Sequence, residues 1–179
     1  PQAQGFSSLM SERPRIAVSA CLAGEKVRYD GNDRFSEAVS ELESLFELIP
    51  ICPEVGIGLG VPRQTIGLYH QEGAIRIRQH DAPYLDVTDD LLEFGMCQAG
   101  QFLSGLIVKA RSPSCGINDA DIHNEAGQVI GAGEGGFIQG IRAASQGVPM
   151  INEESLQQTD KRQAFIEAVQ AYASLQGYI

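Results

Sequence analysis

RIAVSACLAG, residues 15–24, runs a short apolar, β-branched stretch directly into a cysteine and then a glycine. An apolar run of this length that stops at a turn reads as a buried strand. Downstream, RFSEAVSELESLFEL (34–48) places Phe35, Val39, Leu42 and Phe46 at helical spacing, with Leu45 and Leu48 widening the stripe. LIPIC (48–52) reads as the next strand. Strand, helix, strand is the unit of a parallel sheet, because parallel neighbours need a crossover and their buried runs are continuously apolar.

The alternation continues. QTIGLYHQEGAIRIR (64–78) reads as a hairpin turning at Glu72-Gly73. Thr88 is a candidate N-cap with Asp89 and Asp90 in the first turn, and Leu91, Leu92, Met96, Ala99, Phe102 and Leu103 form a buried stripe up to Gly105. LIVKA (106–110) reads as strand, GFIQGIRAASQG (136–147) as helix, and VPMIN (148–152) as strand. TDKRQAFIEAVQAYASLQ (159–176) closes the chain as an amphipathic helix with Thr159 as cap. The expected fold is α/β: a Rossmann-like, open, mostly parallel sheet with helices on both faces, plus a small hairpin insertion around residues 64–78. A single catalytic domain over 15–179 is expected, preceded by a disordered segment, 1–14.

Of the 179 residues 43% are hydrophobic, enough for one sizeable core, and no apolar run reaches the ~18 residues of a membrane span. Thirteen Lys and Arg against 23 Asp and Glu give a net charge of −10, which repels a nucleic-acid polymer and leaves a small molecule as the expected partner. The polar opening PQAQGFSSLMSERP lacks the features of a secretory signal, so a cytoplasmic setting is expected. There, four cysteines point to metal or catalysis before disulfides.

Cys21, Cys52 and Cys115 share a context. Each sits in a Ser/Pro/Gly-rich turn (SACLAG, ICPEVG, KARSPSCGIN) at or just after the carboxyl end of an expected strand. That edge is where open α/β sheets collect ligands. Three thiolates converging there would repel one another unless a cation held them. Zinc with an open position, or a [4Fe-4S] cluster with one iron lacking a protein ligand, suits three cysteines, whereas an electron-transfer cluster wants four. A three-Cys zinc or redox-sensing module without catalysis is the alternative. Cys97, inside the helical FGMCQAGQFL, reads as a packed thiol. GAGEGG (131–136) matches G-x-G-x-x-G, but with no opening βαβ unit it reads as a flexible loop that closes over a phosphate at most. His70, His80 and His123 are scattered and read as surface or hairpin residues.

SACLAGEKVRYDG (19–31), CPEVGIGLGVPR (52–63) and KARSPSCG (109–116) together resemble the three signature stretches of the thiouracil desulfurase family. The resemblance runs from about residue 15 to 152. It implies a [4Fe-4S] enzyme that replaces the thiocarbonyl sulfur of thiouracil, or of a related thiolated nucleobase, nucleoside or nucleotide, by oxygen without net redox change. Carried over position by position, it implies Cys21, Cys52 and Cys115 as cluster ligands and Glu54 and Ser112 as the catalytic pair. Two residues past a ligand, Glu54 is placed to act as a general base. Within the same stretches Ser19, Tyr29, Asp30, Arg63, Lys109 and Ser114 are candidate substrate contacts. After Arg63 the chain departs from the family pattern, with QTIGLYH in place of a proline- and acid-containing continuation.

Overall fold

The computed structural model describes residues 13–101 and 103–177. The strands are β1 (Arg15–Ser19), β2 (Glu47–Ile51), β3 (Ile66–Gln71), β4 (Ala74–Gln79), β5 (Gly105–Val108), β6 (Ala120–His123), β7 (Val129–Gly133) and β8 (Met150–Asn152). The α-helices are α1 (Glu37–Ser40), α2 (Pro53–Gly56), α3 (Thr88–Ala99), α4 (Gly136–Ala144), α5 (Glu153–Leu156) and α6 (Thr159–Gln176). None of the described helices is long and apolar enough to cross a membrane.

Two four-stranded sheets form. The first, in the order β2-β1-β5-β8, is parallel throughout. Side chains on its strands alternate between two cores, as the two-residue period of a strand requires. Ile16, Val18 and Ile107 pack with Val39, Leu42, Phe46, Leu156, Phe165 and Val169 on one face. Ala17, Leu106 and Val108 pack with Phe137, Ile138 and Ile141 on the other. Helices thus cover both faces, as expected of a Rossmann-like sheet. The chain winds outward from β1 to β2, then returns past β1 to β5, so the strand order reverses between β1 and β5.

The hairpin around 64–78 is present as β3 and β4, but it belongs to a second sheet in the order β4-β3-β6-β7. Strands β6 and β7 escape the sequence reading because Val129-Ile130 is exposed and β6 has one fully buried residue, Ala120. One face of this sheet buries Leu68, Ile77 and Ala120 against Val87 and Leu91. Nor are the histidines all scattered: His80 and His123 meet Tyr69 with ring centroids 5.3–5.8 Å apart, while His70 is exposed.

Several boundaries shift. The expected helix at 34–48 is a turn of α-helix followed by a 3₁₀ turn at Glu41–Ser44; Phe35 and Leu45 lie outward. Thr88 does not cap α3 but opens it, with Val87 at the cap position: the Asp86 carboxylate accepts from the Thr88 N–H at 2.9 Å, while the Thr88 hydroxyl takes the Ile77 N–H at 2.7 Å. Helix α3 ends at Ala99, Met96 faces outward, and Leu103 is buried beyond the helix; Phe102 lies outside the described residues. Thr159 opens α6, and its cap position is Gln158. Of the segment expected to be disordered, residues 1–12 lie outside the described residues, but Pro14 is buried and its carbonyl accepts from Glu47 at 3.0 Å.

Helices α3 and α4 cross at glycines. A Cβ at Gly140 would stand 2.1 Å from the Leu92 carbonyl oxygen, and one at Gly95 2.2 Å from that of Phe137. This close approach ties α4 of the first sheet to α3, which carries the second.

Candidate active site

Three strands deliver the site. Strand β1 runs into a 3₁₀ turn carrying Cys21, β2 into α2 with Cys52 at its cap position, and β5 into the loop 109–115 that ends in Cys115. Since β2, β1 and β5 are parallel neighbours, their carboxyl ends come together at the reversal of strand order, where ligand crevices open in such sheets. A cavity of about 270 Å³ lies there, lined by all three cysteines. All are free thiols. They surround the cavity rather than meet at a point: among the described residues, no three His, Cys, Asp or Glu side chains are placed to hold one metal ion. Cys97, expected to be packed, is exposed on α3.

The loop 109–115 is fixed from several sides. Leaving β5, the Lys109 N–H donates to Ser19 Oγ at 3.0 Å and the Ala110 N–H to Glu153 Oε2 at 2.7 Å. Arg111 turns the chain with φ +60°. Its guanidinium is held outside by Glu154. The far side rests on the start of α4: Gly135 N–H donates to Gly116 O (2.9 Å), Gly136 N–H to Pro113 O (3.2 Å) and Phe137 N–H to Ser114 O (3.0 Å). A Cβ at Gly135 would lie 2.5 Å from the Ser114 carbonyl, so only glycine allows the contact. GAGEGG is therefore strand β7 and the opening of α4, and these amides are not free for a phosphate.

Glu54 and the serines form one network. Ser114 Oγ donates to Glu54 Oε1 at 2.9 Å and lies 3.0 Å from Ser112 Oγ. Ser112 reaches Glu54 only through Ser114. The other carboxylate oxygen, Oε2, accepts from Arg63 Nε at 2.6 Å. Arg63 is expected as a substrate contact, yet its guanidinium is committed: Nη1 also donates to the Val27 and Gly60 carbonyls at 2.8 and 2.9 Å, and Nη2 lies 4.0 Å from Cys52 Sγ. Lys109 is likewise engaged, through its ammonium with the largely buried carboxylate of Glu153.

Of the remaining candidates, Ser19 and Tyr29 line the cavity, Tyr29 as a half-exposed rim residue. Asp30 does not. Its carboxylate takes the Asn32 N–H at 3.0 Å and holds the turn. Arg28, Thr65 and Arg111 line the cavity although no sequence pattern singled them out. For Arg28 the signal lay in its own neighbourhood, VRYDG, where Tyr29 and Asp30 drew the reading instead. Its Nε is buried without a hydrogen-bond partner, 3.9 Å from the Asp30 carboxylate.

Burial dominates the electrostatics of the thiols. It pushes Cys115 up to about 12, against weaker lowering by hydrogen bonds from Ser19 and Ser114. Cys21 is raised by burial, opposed by the charges of Arg28 and Lys109. Cys52 is raised by burial, opposed by backbone amides of α2 and by Arg63. A buried thiolate is unstable without a cation beside it, so three such thiols on one cavity form a set that ionises on binding metal.

Three comparisons bear on this geometry. The family model for 2-thiouracil desulfurase matches residues 16–154. An uncharacterized protein of Bacillus subtilis (strain 168), YbbK, is 29% identical over 109 residues, 56% of this chain and 72% of the relative. A solved structure described as the [4Fe-4S]-dependent thiouracil desulfidase TudS superposes with a TM-score of 0.65 at 29% identity, covering 85% of this chain and 99% of that one.

Proposed function

The chain belongs to the 2-thiouracil desulfurase family, and from that premise we propose that it replaces the C=S of a small thiolated base by C=O with release of sulfide. The overall change is hydrolytic: thiocarbonyl and water give carbonyl and hydrogen sulfide, with no electrons gained or lost. Base, nucleoside and nucleotide forms share the reacting group. Residues 15–179 act as one catalytic domain. The observation that carries the reading is the meeting, on one cavity at the strand-order reversal, of three free cysteines with the linked Glu54, Ser114 and Ser112.

The donor set fits a [4Fe-4S] cluster held at three of its irons by Cys21, Cys52 and Cys115. No fourth thiol lines the cavity, and Cys97 is exposed on α3. One zinc would need its thiolates within about 3.8 Å of each other at Zn–S bonds of about 2.3 Å. The spread of the three thiols around the cavity does not favour that arrangement. When bound, such a cluster would supply Lewis acidity from an iron that lacks a protein ligand, suited to a soft thiocarbonyl sulfur.

The protein's own groups do the rest. Glu54, held at Oε2 by Arg63, accepts a proton from the attacking water. Ser112 orients that water. Arg28, paired loosely with Asp30 but with its buried Nε lacking a hydrogen-bond partner, offers positive charge to the anionic thiolate-rich centre or to the polarised substrate. Tyr29 presents a flat face at the rim to a planar base.

Anaerobic purification tests the reading. Brown protein with about four irons per chain is expected, with sulfide released from 2-thiouracil in the absence of reductant. Iron is lost in Cys21→Ser, Cys52→Ser and Cys115→Ser and kept in Cys97→Ser. A colourless protein that carries one zinc and releases no sulfide refutes it.

A further inference from the structure

Strand β4 buries a charge that the chain does not neutralise. Leu68 and Ile77 point into the core of the second sheet, so Tyr69 and Arg78, one residue further along each strand, point to its opposite face. Arg78 is 9% exposed, and arginine is seldom buried so far without an acid beside it. Among the described residues Arg78 enters no ion pair; the carboxylate of Asp86, whose backbone bridges to Arg78, goes to Arg76. The Arg78 guanidinium lies 3.7 Å from the centre of the Tyr69 ring and 4.1 Å from that of Tyr84. Aromatic rings attract a cation but carry no net negative charge.

The neighbours supply no counter-charge either. The Tyr69 hydroxyl pairs with His80 Nδ1, and His123, opposite Tyr69 in the sheet, is held through Nδ1 at the Leu68 carbonyl, 3.2 Å away. Burial holds the His80 pKa below its ordinary value, and the charges of His123 and, more weakly, Arg78 press in the same direction; Asp81 acts against them but forms no ion pair with any of the three among the described residues. A Cβ at Gly67, the cross-strand partner of Arg78, would stand 2.7 Å from His80 Cε1, so the glycine makes room for the imidazole against the sheet.

A guanidinium donates in its own plane, from five N–H groups. Arg78 Nη1 gives one to the Gln79 carbonyl at 3.0 Å. Its Nε and Nη2 have no hydrogen-bond partner among the described residues, and, unlike Arg28 Nε, they are not sealed from solvent. We propose that Arg78 anchors an oxyanion site on this face, outside the catalytic cavity, which takes a phosphate or a carboxylate through Nε–H and Nη2–H. Two parallel N–H···O bonds from these atoms match two oxygens of one such group. Tyr84, 57% exposed over the guanidinium, forms the outer wall. The cavity is near: the His80 N–H donates to the Thr65 carbonyl at 3.3 Å, and Thr65 lines the cavity. The site needs neither the cluster nor the desulfuration, so it stands apart from the reading above.

The test uses the full chain purified without oxygen, in Tris–chloride, with inorganic phosphate and acetate as separate probes and sodium chloride as the ionic-strength control. Saturable binding at one site per chain is expected in calorimetric titration for at least one probe, with a melting temperature raised by about 4–7 °C at roughly twenty times its Kd. The tighter of the two identifies the oxyanion the site prefers, and either order supports it. Arg78→Met should lose the probe-dependent rise while melting within about two degrees of the probe-free wild type, since it removes a buried charge that has no partner. Arg78→Lys keeps the charge without the fork, so the affinity should fall at least about fivefold. Arg111→Ala, at the catalytic cavity, should bind the probe as the wild type does. Where Arg78→Met fails to fold, nitrogen-15 spectra decide: the side-chain Nε–H signal that disappears in Arg78→Lys should move in the wild type as the probe saturates. No saturable binding, a rise that sodium chloride reproduces, a rise retained in Arg78→Met, or a loss of binding in Arg111→Ala overturns the site.

Discussion

Alkaline destabilisation of the metal-free protein follows from the burial of Cys115. Its thiol is raised from 9.0 to about 12 in the folded state. In the unfolded chain the thiol ionises near its ordinary value, so between these two points the folded state binds more protons than the unfolded state. Stability then falls as pH rises, and it is fully retained below the unfolded value. Three units at about 1.36 kcal/mol each give roughly 4 kcal/mol in total, of which about 2 kcal/mol is lost between pH 9 and pH 10.5. Other groups titrate in this range too, so the measurement is a difference: urea unfolding of the wild type and of Cys115→Ser at pH 7.5, 9 and 10.5. The wild type should lose about 1.4 kcal/mol per pH unit more than the variant above pH 9. Parallel curves would refute the claim that a neutral thiol is locked in the core. The same shift means that metal loading must expel protons, so loading at fixed metal strengthens as pH rises.

Two further outcomes concern the scaffold. Gly140→Ala drives a methyl to 2.1 Å from the Leu92 carbonyl oxygen, a backbone atom that cannot turn away; a loss of about 1–3 kcal/mol is expected, seen as a melting temperature several degrees lower, and a change under one degree contradicts the close crossing. Glu153→Ala strands the Lys109 ammonium and the Ala110 N–H together; roughly 3 kcal/mol should be lost in denaturant melts, and an isosteric apolar pair, Lys109→Met with Glu153→Leu, should recover a good part of it.

Much of the sheet was legible because β1 and β5 are buried on both faces and so read as unbroken apolar runs. The cysteines were legible from their place after these runs: Cys21 and Cys52 follow β1 and β2 within two residues, and Cys115 ends the short Ser/Pro-rich loop that leaves β5. Strands β6 and β7 were not: Val129 and Ile130 face outward, and ADIH carries too few apolar residues for a period to show. Thr88 has the chemistry of a cap, but its hydroxyl is taken by the Ile77 N–H, a tertiary contact that the sequence does not show, and the cap position falls to Val87. Arg63 and Lys109 were seen as cations but not as already paired, since Glu54 lies nine residues from one and Glu153 forty-four from the other. Pairing over such distances belongs to the fold and leaves no local trace. Cys97 reads as packed from its place in a helix, yet it is exposed on α3.

The contact between Gly135 and the loop bearing Cys115 has a consequence for how substitutions will be tolerated. Position 135 bears no functional group and lies twenty residues from the nearest cysteine in sequence, yet any side chain there displaces the Ser114–Cys115 peptide. In a saturation screen for sulfide release, Gly135 should therefore behave like a reactive residue, intolerant of every replacement. Part of what shapes this reaction chamber is an atom the chain leaves out.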